Sequence, residues 1–290
     1  MDKLINNKKV RIRKMAIYYT PHPVLFSVGS FTIYSWGLLN ALAILIAGFF
    51  IYKNAKKYFK KEEILKIFFV MLLGGILFAR IFYVLIHPSE FSSILDYFLI
   101  WKGGLEGFGV MLGVMAGAFI YSKIKKFDFW RFMDIAAPWF ALGYAIGRIG
   151  CFLRGCCFGI PTSLPWGILY SQGSLASAYF TQPVHPTQIY HAIADLIIFL
   201  ILILISRKKE KQMHFIRKPA GNIFLLLLIL YSAERFLIDF LRWHPPTEIL
   251  KFGFSIEQLV YAIIFVISMI LILKRNRNSK LYISTLQNMK

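Results

Sequence analysis

Acidic side chains are scarce in this chain: 14 Asp and Glu stand against 34 Lys and Arg, and charged residues make up only 17% of 290. With 58% hydrophobic residues and a mean hydropathy of +0.60, that scarcity excludes an ordinary soluble domain. Ten-residue segments of alternating hydrophobicity are also lacking, which argues against a transmembrane β-barrel. The basic N-terminal tail is not followed by a short apolar region with a small-residue cleavage site, so no cleavable signal peptide is expected. Cysteine is confined to Cys151, Cys156 and Cys157. Vicinal cysteines bridge each other poorly, so at most one ordinary disulfide is expected, from Cys151 to Cys156 or Cys157. Packed thiols are the other reading. Three thiols without a nearby histidine make a poor metal motif, and no adjacent base marks a nucleophile; neither a metal nor a cofactor is expected.

What fills the chain instead is apolar. Seven continuous runs of spanning length lie at Ile33–Tyr52, Ile67–Ile86, Leu105–Ile124, Asp134–Leu153, Gln188–Ile205, Asn222–Leu241 and Ile256–Leu273. They predict an all-α polytopic membrane domain over 15–275, flanked by a basic tail at 1–14 and a cytoplasmic tail at 276–290. The net charge of +20 lies in short loops between the runs, as topology determinants do. Nucleic acid is therefore not an expected partner. Residues 53–66, 123–131 and 207–218 and the tail after Leu273 carry six, four, six and five Lys or Arg; the other loops hold Lys102, Arg154, Arg242 and Lys251 only. This asymmetry puts the C-terminus in the cytoplasm and the N-terminus outside. The basic tail before Met15 opposes that orientation, and Met15 reads as the natural start. Trp36, Trp101, Trp130, Trp166 and Trp243 fall near predicted span ends, where their rings anchor at the interface.

Several runs carry arginine: Arg80, Arg148 and Arg235. A charge at membrane depth costs roughly 2.5–3.5 kcal/mol, so each needs a partner or a use. Arg80, Glu106, Arg148, His185, Gln188, Arg235, Asp239 and Arg242 all fall toward the outer face in this orientation. Their convergence predicts a polar site open to the outer leaflet. Tyr231, Arg235, Asp239 and Arg242 share one helical face, where Arg235 and Asp239 are expected to pair and Arg242 to stay unpaired. Gly143 and Gly147 allow close helix packing beside Arg148, and Gly109, Gly113 and Gly117 form a second small-residue face. Glu106 opens the third span, as an arginine partner or a base. In VHPTQIYH, Pro186 suits a first helical turn, and His185, Gln188 and His191 offer hydrogen-bonding groups.

These segments resemble the prolipoprotein diacylglyceryl transferase family over most of Ser27 to Leu273. The resemblance rests on IYSWGLLNAL, GGILFARIFYVL, the glycine-rich third helix that follows Gly103 and Gly104, DIAAPWFALGYAIGRIGCFLRG, HPTQIYHA and the Y-x3-R-x3-D-x2-R ending. It implies a seven-helix bacterial inner-membrane enzyme with its N-terminus outside. Such an enzyme moves the diacylglyceryl unit of phosphatidylglycerol onto the cysteine thiol of a prolipoprotein signal peptide, without a cofactor. Arg148, Arg235, Asp239, Glu106 and His185 are the expected catalytic residues. Arg148, Arg242, Arg80, Tyr231, Gln188 and Gly104 are expected to hold the substrate. The chain departs from the family at Phe108, where histidine is usual, at Cys151 and Cys156, where asparagine and glutamate are usual, and at Trp36, where tyrosine is usual. A related transferase with another acceptor, or a lipid or anion transporter, are the competing readings.

Overall fold

The computed structural model describes residues 16–29, 31–100, 103–207 and 219–288. The tail before Met15, Met15 itself, Trp101 and most of the basic stretch 207–218 lie outside them. Seven long helices carry the fold: α1 (Ser35–Ala55), α2 (Lys61–Ile86), α3 (Gly107–Lys125), α4 (Phe129–Arg154), α5 (Thr187–Arg207), α6 (Asn222–Asp239) and α7 (Ile256–Asn288). Six of these are long and apolar enough to cross a membrane among the described residues. The exception is α6, whose 18 residues include Glu234, Arg235 and Asp239. The chain is a polytopic membrane protein. Exposed Leu45, Phe69, Ile124 and Leu204 on its helices suit contact with lipid rather than water.

The all-α expectation needs correction. Strands β1 (Ile17–Tyr19) and β4 (Ile168–Tyr170) pair in parallel, and β2 (Val24–Val28) pairs antiparallel with β3 (Phe31–Tyr34). All four lie outside the apolar helices, where an extended backbone must find hydrogen bonds between segments instead of within one. For the same reason the first helix begins at Ser35 and not at Ile33, which pairs with Phe26.

The chain forms two compact units, whose boundaries fall within α1 and α4. The unit Gly48–Ile135 is built on α2 against α3. Glycines set their approach: a Cβ on Gly74 would sit 2.5 Å from the Gly113 carbonyl oxygen, one on Gly109 2.7 Å from that of Phe78, and one on Gly117 2.9 Å from that of Val70. The small-residue face read from Gly109, Gly113 and Gly117 is a packing face.

The other unit joins residues 16–47 to 136–288. Here α5 packs on α6 and α6 on α7. The segment between α4 and α5 folds around Phe158, Ile168, Tyr170, Ala176 and Val184, with Trp243 and Phe152 against them. Backbone bonds from Gly159 to His185, Ile160 to Leu241 and Trp243 to Phe158 tie it to the end of α6. Any Cβ on Gly159 would meet His185 Cβ at 2.6 Å, so glycine permits that three-way approach.

Candidate active site

A chain of polar contacts runs through α5, α6 and α7. Glu234 on α6 hydrogen-bonds His191 Nδ1 on α5. His191 Nε2 faces Arg235 Nη1 at 3.3 Å. Since guanidinium nitrogens only donate, the imidazole proton sits on Nδ1 and is given to Glu234. Arg235 Nη2 donates to Glu257 Oε2 at 3.0 Å, and Arg242 Nη1 donates to the same oxygen at 2.5 Å. Arg242 also lies 3.7 Å from Asp239, whose oxygens take His244 Nε2 at 2.9 Å and Ser255 Oγ at 2.5 Å. His244 reaches on to Glu248 at 3.2 Å. Burial depresses the His244 pKa, but the bonds to Asp239 and Glu248 outweigh it and raise the value to about 9. Arg235 is sandwiched by aromatic faces, 5.1 Å from the Tyr261 ring and 6.0 Å from that of Tyr231.

Two sequence expectations are corrected here. Arg235 does not pair with Asp239, and Arg242 is not unpaired. Both cations turn to Glu257, because the start of α7 brings that carboxylate between them. Asp239 is taken by the His244 and Ser255 donors instead.

Arg148 behaves differently. It makes no hydrogen bond or ion pair with the described residues, although its charge interacts at longer range with Arg235 and with the carboxylates of Asp195 and Glu234. Tyr144, one turn before it on α4, packs against Tyr231 with tilted rings whose centroids are 4.8 Å apart. One unpartnered guanidinium beside a second that is rigidly braced is an arrangement suited to an anion. Planar, permanently charged forks bind phosphate oxygens in pairs.

The loop after α4 lies next to Arg242. Gly155, at φ +77°, ends the helix, and the backbone N–H groups of Gly155 and Cys156 both bond the Cys151 carbonyl. Cys157 adopts φ +58°, a left-handed conformation that costs a residue with a Cβ about 1–2 kcal/mol. Gln188 Nε2 donates to the Cys156 carbonyl at 2.6 Å and Thr187 Oγ1 to that of Cys157 at 2.6 Å. Buried Gln188 thus holds this loop, with its Nε2 also on Tyr170 Oη. All three cysteines are free, so of the two readings it is packed thiols, and not a disulfide, that the loop shows. Hydrogen bonds from its two neighbours lower the Cys157 thiol pKa against the opposing effect of burial, with help from Arg242 and Arg148. His185 stands at the edge of the loop segment, its Nδ1 3.2 Å from Tyr190 Oη, and burial lowers its pKa.

Arg80, Gly104, Glu106 and Phe108 belong to the other unit and form a cluster of their own. Arg80 is buried and gives its N–H groups to the carbonyls of Tyr97 (2.9 Å), Gly103 (2.6 Å), Gly104 (2.9 Å), Asp96 (2.7 Å) and Leu99 (3.5 Å). The guanidinium closes the loop before α3. Gly104 sits at φ +76°, and a Cβ there would meet Arg80 Nη1 at 2.7 Å. Glu106 precedes the first turn of α3, its backbone N–H on the Ala79 carbonyl. Phe108 packs edge-on against Phe82, with centroids 4.9 Å apart.

The spacing argument missed four residues. Glu257 was signalled by Ser255-Ile-Glu-Gln258, a capping box that opens α7 with reciprocal Ser255 and Gln258 bonds. Glu234 is an acid at membrane depth adjoining Arg235. Asp195 lies one turn beyond His191, fully buried, with neither carboxylate oxygen hydrogen-bonded among the described residues. His244 follows Arg242 beyond the helix end and gave no periodic signal.

Comparison with known proteins adds an independent observation. The sequence profile of the family described as prolipoprotein diacylglyceryl transferase matches residues 23–274. A Clostridium tetani protein is 35% identical over 227 residues, 77% of this chain and 86% of that one. One from Acaryochloris marina is 36% identical over 235 residues, covering 78% and 82%. A third, from Dehalococcoides mccartyi, is 30% identical over 260 residues, covering 89% and 95%. All three carry the name phosphatidylglycerol–prolipoprotein diacylglyceryl transferase.

Proposed function

The chain belongs to the prolipoprotein diacylglyceryl transferase family, and from that premise we propose that its substrates are phosphatidylglycerol and the lipobox cysteine of a prolipoprotein signal peptide. The enzyme is a transferase that carries out the first step of bacterial lipoprotein maturation. The cysteine sulfur attacks the glycerol carbon, the carbon–oxygen bond to phosphate breaks, and glycerol phosphate leaves. The thiol proton is lost and the departing phosphate takes the electron pair.

The observation that carries this reading is Arg148, a cation with no partner among the described residues, next to a braced Arg235. Arg148 and Arg235 clamp the phosphate and hold charge as it develops. Fixed donors in a site that excludes water are worth far more than the same donors in water. Glu257 and His191 orient Arg235, and Arg242 guards the rim. The cationic cluster also favours the thiolate of the incoming cysteine, whose ordinary pKa is about 8.5. His185, in the same unit as Arg148 and Arg235, is the proposed base for that proton.

The loop charges support seven spans, with α6 as the sixth; at about 1.5 Å per residue its 18 residues reach about 27 Å. They also support an outer N-terminus and a cytoplasmic tail after 275, while the family match over 23–274 supports a catalytic domain over 15–275 in the inner membrane, with its site facing the outer leaflet. The test is complementation of a strain depleted of its own transferase. Wild type should restore lipid-modified lipoproteins, and Arg148→Ala should fail while accumulating normally in membranes. Activity retained by Arg148→Ala would overturn the clamp.

A further inference from the structure

The three thiols of Cys151, Cys156 and Cys157 converge, with all three sulfur atoms within 4.8 Å of one another. Cys156 and Cys157 sulfurs are 3.9 Å apart. An S–S bond needs about 2.05 Å, and Cys156 and Cys157 are adjacent residues, which bridge poorly. A metal needs far less movement. With a metal–sulfur distance of about 2.3 Å, three sulfurs around one ion lie about 3.8–4.0 Å apart, from tetrahedral to trigonal planar. The 3.9 Å between Cys156 and Cys157 falls in that range, and the 4.8 Å bound on the trio leaves at most about an ångström of closure for an ion.

The loop is also held ready. Thr187 and Gln188 fix the Cys157 and Cys156 carbonyls, Gly155 ends the helix so that the chain doubles back toward Cys151, and Cys157 is held in its left-handed conformation. Cys151 is buried, whereas Cys156 and Cys157 are partly exposed. Arg242 Nη2 stands 4.0 Å from Cys157 sulfur, where a guanidinium supports a thiolate ligand from outside. Neither a histidine nor a carboxylate joins the trio among the described residues, so the ligand set is purely soft.

We propose that Cys151, Cys156 and Cys157 form a three-sulfur site for a soft divalent cation of the zinc and cadmium class. Each sulfur gives up its proton on binding, so one M²⁺ and three thiols give an [M(SR)₃]⁻ centre and three protons. No redox step is involved. The resulting negative centre draws Arg242 toward itself, and the ion therefore inhibits transfer. That last consequence rests on the function proposed above, whereas binding does not.

The experiment uses the full-length reduced protein in detergent, titrated with Cd²⁺. A thiolate-to-cadmium charge-transfer band should saturate at one equivalent, and three thiols should become unreactive toward an aromatic disulfide reagent. Cys151→Ser, Cys156→Ser and Cys157→Ser should each weaken binding by more than the roughly 10–100-fold typical of losing an outer partner. If a variant fails to fold, the wild-type thiol count still decides. Absence of the band, protection of fewer than three thiols, or a band indifferent to the substitutions would overturn the site. Alkylation before reduction that finds fewer than three free thiols in native membranes already stripped of metal by a chelator would overturn it too. Zinc that binds without slowing transfer would leave the site standing and remove only its inhibitory role.

Discussion

Arg235 and Arg242, on opposite sides of the end of α6, donate to one oxygen of Glu257 at 3.0 and 2.5 Å. A single carboxylate thereby restrains two guanidinium groups that would otherwise repel. Glu257→Ala should leave both buried cations short of a partner, a loss of about 3–5 kcal/mol for a buried pair. Thermal melting in detergent should fall sharply for Glu257→Ala and less for Glu257→Gln, which keeps an acceptor. Equal melting of both variants and wild type would show that Glu257 is not the restraint.

The Glu234–His191 pair acts on Arg235 from the other side. It positions the cation and does not touch the reacting atoms. His191→Ala should lower kcat about 10–100-fold, the worth of a hydrogen bond to a charged group at roughly 1.5–3 kcal/mol. His191→Gln, able to bond both neighbours, should recover part of that rate. A KM change with unaltered kcat would contradict this positioning role.

Arg80 serves the loop before α3. Lysine cannot reproduce its fork, since an ammonium offers three donors at a point. Arg80→Lys and Gly104→Ala should both expose residues 94–100 to limited proteolysis at a protease level that leaves wild type intact. An unchanged digestion pattern in both variants would return Arg80 to the set of free cations.

Helix packing in the same unit gives a sharper steric test. Gly113→Leu would drive a side chain into the Gly74 backbone and the Phe78 side chain. Membrane accumulation should collapse, beyond the 1–3 kcal/mol of ordinary overpacking. Gly107→Ala, with nothing within 4 Å of the added carbon, should stay within about 0.5 kcal/mol of wild type.

His244 gives a pH dependence with a defined sign. Its pKa in the folded protein is raised from 6.5 to about 9. The stabilisation is therefore complete below pH 6.5 and disappears as pH rises through about 9. It amounts to on the order of 2 kcal/mol after allowing for screening at the more open Glu248. The difference in melting temperature between wild type and His244→Gln should shrink between pH 6.5 and 10. A constant difference would mean that His244 carries no charge in the folded protein.

Much of this was legible in sequence. The apolar runs located all seven helices, five of them to within five residues at either end; the second helix starts six residues before its run, at Lys61, and the last continues past Leu273 to Asn288, because polar residues can extend a helix that hydropathy no longer marks. Arginines inside those runs drew attention to α4 and α6. Partners were not legible. Spacing on α6 pointed to Arg235 with Asp239, since four residues bring two side chains onto one face, yet Glu257 from another helix took the cation.

Hydropathy was enough by itself to make this a polytopic membrane protein, since it depends on composition along the chain and not on neighbours. Tertiary structure alone decided which cation stayed unpartnered, why Arg80 is consumed by backbone carbonyls, and how three cysteines meet. Those outcomes depend on which helix faces come together and on one left-handed residue at Cys157, where the free energy of the packed loop outweighs local preference.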